Sequence, residues 1–253
     1  MIQTFNLTKK FSKFTAVDNL NLNIKPGEIY GFLGPNGAGK TTTIRMLIGL
    51  LKPTSGKVLI CGYDIQKNPI SAKNLVGFIS DRPYIYEKLT AKEFLNFIGG
   101  IYGMTEKEVS KKEPELLEFF DLLDWKDELV ESFSHGMKQR LAFASALLHD
   151  PKVIIVDEPM VGMDPKGARL LKNTFKELAH KKNKTIFIST HTLEVAQEVC
   201  DRIGIIMQAK LIAEGNINKL QELAKTKYAN LEEVFLKLTA DEQEKELIQS
   251  LKN

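Results

Sequence analysis

Eight residues that follow a short apolar segment, residues 29–33, constrain the fold of this chain more than any other feature. They are Gly34, Pro35, Asn36, Gly37, Ala38, Gly39, Lys40 and Thr41. The glycines let consecutive backbone N–H groups turn inward toward an anion. Apolar periodicity predicts a helix from Thr41 to Leu51, which would direct its positive end at the same anion. The pattern therefore predicts a phosphate-binding loop between a strand and a helix.

The side chains that close this loop suit a nucleotide triphosphate. Lys40 is a mobile point charge that can reach the β- and γ-phosphates. The hydroxyl of Thr41 can ligate Mg²⁺. Thr42, the next residue of the predicted helix, is assigned to the same phosphate site. ATP and Mg²⁺ are thus the predicted cofactors.

Two adjacent carboxylates, Asp157 and Glu158, follow the apolar segment 153–156. Asp157 can hold Mg²⁺ through water, and Glu158 can orient or deprotonate an attacking water molecule. Strands often end in acidic residues, so this pair is a weak signal by itself. Beside the phosphate-binding loop it predicts a hydrolytic site.

Alternating patterns along the chain predict an α/β fold. The first thirty residues alternate as a strand does, with Leu20, Leu22 and Ile24 facing one way, and Pro26-Gly27 marks a turn. Short apolar strands are predicted at 57–61, 76–80, 153–156, 185–189 and 202–207. Residues 90–148 look almost wholly helical, with capping boxes at Thr90 and Thr105. The alternation indicates a largely parallel sheet, interrupted by a helical insertion and followed by a charged helical tail from residue 216.

Composition restricts the class of protein. The chain has 253 residues, of which 43% are hydrophobic and 26% charged, as in ordinary globular domains. A formal net charge of +3 is too small to indicate nucleic acid as the main ligand. The two cysteines are far apart, which favours a reduced compartment. No uninterrupted apolar run approaches about 18 residues, and no signal peptide is expected at the N-terminus. Any work at a membrane would need another chain to supply the spans.

The order of further motifs resembles that of the nucleotide-binding domain of ATP-binding cassette (ABC) proteins, over residues 1 to about 220. Phe11 is in the place of the family's adenine-stacking aromatic residue, Val17 in that of its apolar support, and His191 in that of its γ-phosphate histidine. Gly162-Met163-Asp164 matches the loop that crosses between two subunits. The family's signature segment corresponds to Phe133, Ser134, His135, Gly136 and Met137.

Two departures from the usual family pattern matter, one in the signature segment and one at residue 81. The signature is usually Leu-Ser-Gly-Gly-Gln, and here Ser134 and Gly136 are retained while His135 replaces a glycine. The family also has a glutamine where this chain has Asp81, which suits Mg²⁺ as a hard oxygen ligand. Both departures, and the tail segment 231–236, are similar to the drug-, sodium- or polysaccharide-exporter branch.

The resemblance implies a P-loop NTPase (RecA-like) core with an N-terminal antiparallel β subdomain and an inserted helical subdomain. It implies a cassette domain at 1–220, a helical subdomain at about 82–150 and a C-terminal helical extension at 221–253. ATP hydrolysis would use Lys40, Glu158 and His191, with Thr41, Asp81 and Asp157 at the metal.

The implied partners are two. A second nucleotide-binding subunit, identical or different, would complete each ATP site by facing Ser134, His135 and Gly136 toward the nucleotide. A polytopic membrane subunit would dock near Tyr84 to Leu95 and hold the chain at the cytoplasmic face of the cell membrane.

Two alternatives stay open at this point. A non-transport ABC ATPase of translation or DNA repair usually carries two cassettes, a long coiled coil or a zinc site, which this sequence lacks. A P-loop kinase would need a base-binding lid, and a small GTPase would need an Asn-Lys-x-Asp motif. The segment Asn183-Lys184-Thr185-Ile186 begins like that motif without its aspartate.

Overall fold

A computed structural model of the chain describes residues 1–160, 165–226 and 230–239. The strands are β1 (Ile2–Phe11), β2 (Phe14–Ile24), β3 (Ile29–Leu33), β4 (Ser55–Ile60), β5 (Tyr63–Asp64), β6 (Val76–Ile79), β7 (Val153–Asp157), β8 (Thr185–Thr190), β9 (Arg202–Met207) and β10 (Lys210–Gly215). The α-helices are α1 (Lys40–Leu47), α2 (Pro69–Lys73), α3 (Ala91–Ile101), α4 (Glu106–Phe119), α5 (His135–Leu147), α6 (Pro165–Lys176), α7 (Leu193–Val199), α8 (Ile217–Leu223) and α9 (Leu231–Thr239). Short 3₁₀ turns lie at Leu123–Trp125 and Val130–Ser132, and α6 continues as a π-helical turn at Glu177–Lys181.

The main sheet has six strands in the order β10-β9-β3-β8-β7-β6. Neighbours from β9 to β6 are parallel, and β10 is an antiparallel edge strand. β3, β7 and β8 are buried along their whole length, as strands covered on both faces should be. Their carboxyl ends lie at one edge of the sheet, which is where open α/β sheets bind ligands.

The second sheet is antiparallel, in the order β2-β1-β4-β5. The predicted alternation in β2 is confirmed, because Leu20, Leu22 and Ile24 are buried while Asn21 and Asn23 are exposed. These apolar side chains pack in one cluster with α1 and with one face of the main sheet. The N-terminal sheet therefore braces the helix that follows the phosphate-binding loop.

The helical insertion lies between β6 and β7. Both predicted capping boxes are present. Thr90 accepts from the Glu93 N–H and Thr105 from the Glu108 N–H, and each glutamate side chain accepts the backbone N–H of its cap residue. The insertion shares an apolar cluster with the main sheet. Packed side chains thus connect these helices to the sheet.

Several elements differ from the sequence prediction. α1 ends at Leu47 rather than at residue 51, because Gly49 turns the chain with φ 69° and ends the helix. The elements α2, α7 and β10 were not predicted, since they are short and their apolar periodicity is weak. α8 lies on both sides of residue 220 and packs with α9 against β9. The domain limit at 220 stays a prediction.

Among residues 1–160, 165–226 and 230–239, no helix is both long and apolar enough to cross a bilayer.

Candidate active site

The loop 34–41 joins β3 to α1 and requires its glycines. Gly37 and Gly39 have φ of 81° and 112°, values that L side chains rarely adopt. A Cβ at Gly39 would lie 2.3 Å from the carbonyl oxygen of Ala16, and one at Gly34 would lie 2.3 Å from that of Ile206. This close backbone packing leaves no room for a side chain at Gly34 or Gly39.

Lys40 is the buried cation of this loop. Its Nζ donates to the carbonyl oxygens of Gly34 at 2.7 Å and Pro35 at 3.2 Å, and it lies 3.8 Å from Glu158 Oε1. Burial lowers the pKa of Lys40, and the charges of Glu158 and Asp157 oppose that shift. The ammonium group thus spans the loop and the carboxylates at the end of β7.

Asp157 ends β7 next to the start of α1. The Thr41 hydroxyl donates to Asp157 Oδ2 at 3.4 Å. Burial raises the pKa of Asp157, and the negative charges of Glu158 and Asp81 add to the rise, while the nearby hydroxyls of Ser189 and Thr41 oppose it. A buried carboxylate among other carboxylates is an environment that a cation would stabilise.

Glu158 has an uncommon backbone conformation, with φ 49°. Its N–H donates to the Ser189 carbonyl at 2.9 Å. On the side chain, Oε2 accepts from the Thr190 hydroxyl at 3.1 Å and from the His191 N–H at 3.4 Å, and Oε1 lies 2.8 Å from His191 Nδ1. The last residue of β8 and the residue after it therefore hold a carboxylate that is only 14% exposed.

These groups line one cleft. Its residues are Phe14, Ala16, Pro35, Asn36, Gly37, Gly39, Lys40, Thr41, Thr42, Asp81, Asp157 and Glu158. The structure thus brings together residues from the loop, from β7 and from the segment after β6. His191 adjoins the cleft through Glu158. The loop's N–H groups, a cation and several carboxylates in one cleft suit the binding and hydrolysis of a nucleotide triphosphate.

The aromatic position differs from the expectation. Phe11 is half exposed, its ring lies 5.0 Å from Lys9 Nζ, and it is not among the residues that line the cleft. Phe14, which is 62% exposed, lies there instead. Val17 is buried in the core, and Ala16 lines the cleft in its place. Stacking of adenine on Phe11 stays a prediction. The sequence feature that could have pointed to Phe14 is that it is a second aromatic residue in the same hairpin.

Comparison with known proteins decides the family. A family model described as "ABC transporter" matches residues 17–161. The bacitracin transport ATP-binding protein BcrA of Bacillus licheniformis is 46% identical over 214 residues, which cover 85% of this chain and 69% of that protein. The linearmycin resistance ATP-binding protein LnrL of Bacillus subtilis (strain 168) is 40% identical over 215 residues, with 85% and 69% coverage.

The chain belongs to the ABC transporter family. It is an ATP-binding and ATP-hydrolysing subunit of the exporter type. Solved ABC subunits support the same conclusion. One described as the ATP-binding subunit of an ABC transporter has a TM-score of 0.89 at 30% identity, covering 95% of this chain and 100% of that one. Another, the dimeric post-hydrolysis cassette MJ0796 bound to ADP and Pi, has a TM-score of 0.78 at 28% identity, with 86% and 99% coverage.

The ABC signature segment lies apart from the cleft. Ser134 caps α5 by accepting from the Met137 N–H at 3.3 Å, and His135 and Gly136 form the first turn of that helix. Ser134 and Gly136 line a separate groove with Arg140, Lys166 and Arg169. The loop predicted to cross between subunits, Gly162 to Asp164, lies outside the described residues. The signature and the phosphate-binding loop of one ABC subunit thus line different grooves.

The residues assigned to Mg²⁺ suit a cation that takes its remaining ligands from phosphate oxygens and water. In the described part of the chain, no group of three or more His, Cys, Asp or Glu side chains could hold a metal alone. Thr41, Asp81 and Asp157 offer one hydroxyl and two carboxylates at the cleft. Mg²⁺ in nucleotide sites commonly takes one or two carboxylates and completes its shell with phosphate oxygens and water.

Proposed function

We propose that this ABC subunit binds Mg·ATP in its cleft, closes on a second nucleotide-binding subunit, and energises export through a separate polytopic membrane subunit. The observation that carries the proposal is the Glu158 carboxylate. It lies beside Asp157, within 3.8 Å of Lys40 and within hydrogen-bond distance of His191. A base, a phosphate-binding cation and a polar orienting group thus share one cleft.

Each residue of the cleft has a separate role in the proposed reaction. Lys40 exchanges its contacts with loop carbonyls for the β- and γ-phosphates, where its charge stabilises the transition state. Glu158 orients the attacking water molecule and accepts a proton from it. His191, half exposed, turns from Glu158 toward the γ-phosphate. Thr41, Asp81 and Asp157 would hold Mg²⁺, which neutralises phosphate charge when bound.

A second subunit is needed because the signature segment does not line the ATP cleft of its own chain. Ser134 and Gly136 lie at the N-terminus of α5, an anion-binding position, yet they line a groove other than the ATP cleft. They would serve the nucleotide of a partner subunit, identical or different. The dimeric solved relative supports this assembly. ATP then favours the closed dimer, and hydrolysis removes the contacts that favoured it.

The membrane subunit would dock on the helical insertion. Tyr84 is fully exposed, and Tyr86, Phe97 and Ile101 are also exposed around the start and outer face of α3. Apolar and aromatic side chains of this kind mark binding surfaces rather than solvated faces. The proposed location is the cytoplasmic face of the cell membrane. Relatives named for bacitracin transport and linearmycin resistance support export.

Glu158→Gln tests the proposal. The amide keeps the size of the side chain and cannot accept the proton, so ATP binding should persist while turnover falls by about 100-fold or more. Size-exclusion chromatography with Mg·ATP should then show an accumulated dimer. Glu118→Gln, the same change at an exposed site on α4, should behave as wild type. Wild-type turnover in Glu158→Gln would remove Glu158 from the reaction, and a monomer with bound ATP would contradict the two-subunit site.

A further inference from the structure

Thr190, the last residue of β8, contacts both the phosphate-binding loop and Glu158, the proposed base. It is only 2% exposed and pairs with Leu33 at the end of β3. Its carbonyl oxygen accepts the N–H of Gly34, the first residue of the phosphate-binding loop, at 3.3 Å. Its side chain points to Glu158. Backbone and side chain of one residue thus contact both halves of the site.

The hydrogen bonds of the Thr190 hydroxyl have only one possible direction. The Thr192 N–H donates to Oγ1 at 3.0 Å, so the hydroxyl must accept there. A hydroxyl has a single proton to donate, and the remaining neighbour is Glu158 Oε2 at 3.1 Å. An ionised carboxylate only accepts, so the proton is directed at Oε2. This is a charge-assisted bond inside a buried site, which is the stronger kind of hydrogen bond.

The two oxygens of Glu158 have different partners. Oε1 faces His191 Nδ1 at 2.8 Å and Lys40 Nζ at 3.8 Å, and both groups are expected to turn to phosphate when ATP binds. Oε2 is held by Thr190 and by the backbone N–H of His191. The contacts of Oε2 come from the sheet edge and do not depend on the nucleotide. Oε1 is therefore the oxygen that becomes free for water.

We propose that Thr190 is a positioning residue for ATP hydrolysis, which fixes Oε2 of Glu158 so that Oε1 faces the attacking water. The inference rests on the proposed role of Glu158. The left-handed backbone of Glu158, with φ 49°, makes such a restraint necessary, because this conformation is costly and persists only when surrounding contacts hold it. A misdirected carboxylate would slow proton transfer without weakening the binding of ATP.

Thr190→Val tests the hydroxyl. Valine keeps the branched shape, so kcat should fall on the order of 10- to 100-fold, the effect of one hydrogen bond to a charged group, while KM for ATP stays within about twofold. Thr174→Val is the matched control. Thr174 is also 2% exposed and donates to the Leu170 carbonyl at 2.8 Å, away from the cleft. It should lose thermal stability and keep kcat.

A second pair of variants covers the case in which Thr190→Val does not fold. Thr190→Ser and Thr190→Ala both lack the methyl group, so the ratio of their kcat values isolates the hydroxyl. We expect Thr190→Ser to exceed Thr190→Ala by about tenfold or more. Equal kcat values in these two variants, or wild-type kcat in Thr190→Val, would overturn the inference.

The Glu158→Gln background separates this inference from the proposed function. If Thr190 acts through Glu158, Thr190→Val should add little to the loss already caused by Glu158→Gln. A full additional loss would mean that Thr190 acts by another route and would overturn the inference. Wild-type turnover in Glu158→Gln alone would instead refute the role of Glu158.

Discussion

Asp81 is the residue at which this chain departs most clearly from the usual family pattern, and the structure places it in the ATP cleft. It lies two residues beyond the end of β6, and its charge contributes to the raised pKa of Asp157. The simpler role would be a turn residue paired with Arg82. The ion pairs found among the described residues do not include that pair, and the turn is closed instead by the Ser80 hydroxyl, which donates to the Arg82 carbonyl at 2.8 Å.

Asp81→Ala should therefore change the metal dependence of the enzyme. We expect the Mg²⁺ concentration for half-maximal hydrolysis to rise several-fold, while ATP affinity at saturating Mg²⁺ stays close to wild type, because a hard oxygen ligand has been removed from the metal side of the cleft. Initial rates across a Mg²⁺ titration measure this. Asp124→Ala, an exposed site on the helical insertion, is the control. An unchanged titration curve would leave Asp81 as a turn residue.

At the scale of secondary-structure elements, His149 lies where the helical insertion meets the main sheet. Its ring stacks on Tyr102 with centroids 3.6 Å apart and planes within 6°. Nε2 lies 3.1 Å from the Val76 carbonyl oxygen and must donate to it, while the buried Nδ1 has no hydrogen-bond partner among the protein groups described. Burial lowers the pKa of His149 to about 4, and Lys112 and Lys184 add to the effect, opposed by that bond and by Asp150.

This shift predicts a loss of stability in mild acid. Between the ordinary value of 6.5 and about 4, the unfolded chain binds a proton that the folded chain excludes. The free energy of unfolding should thus fall as pH decreases through that window. His149→Phe keeps a stacking ring without the titration, so its melting temperature should fall less between pH 7 and pH 5 than that of wild type.

A second histidine variant serves as the control for that measurement. His135 is exposed at the start of α5, and His135→Asn should show the wild-type pH dependence. A His149→Phe variant whose melting temperature falls as steeply as that of wild type would show that other groups cause the acid sensitivity.

For the molecule as a whole, the exposed surface of the insertion should decide attachment to the membrane. The rings of Tyr86 and Phe97 meet edge to face at 5.1 Å, and Ile101 is 63% exposed one helical turn from Phe97. A Tyr84→Ser/Phe97→Ser/Ile101→Ser variant should keep its ATPase activity and melting temperature. It should lose most of its recovery in the membrane fraction when co-expressed with the membrane subunit, because the apolar contact is removed.

The matched control alters equally exposed apolar residues elsewhere. Leu50, Ile70 and Leu236 are 69%, 76% and 58% exposed. Their combined change to serine should leave membrane recovery intact. Full recovery of the Tyr84/Phe97/Ile101 variant would place the docking surface on another face.

The features that were predictable from sequence are those with local causes. The loop 34–41 is recognisable because phosphate binding needs glycines and a lysine at fixed spacing next to a helix start. The capping boxes at Thr90 and Thr105 are recognisable because both partners lie within one helical turn. The buried strands are recognisable because both of their faces are apolar. With the motif order, these patterns sufficed for the fold class and for ATP hydrolysis.

Only the tertiary structure decided which distant residues meet. Thr190 contacts Glu158 because β7 and β8 are parallel neighbours whose carboxyl ends reach the same edge, a relation that no spacing in the chain encodes. Phe14 lines the cleft and its cross-strand partner Phe11 does not, although both are aromatic residues of one hairpin. The Glu158 N–H, in a left-handed backbone, donates to the Ser189 carbonyl of β8. The packing of the sheets against the loop, not local preference, places these side chains.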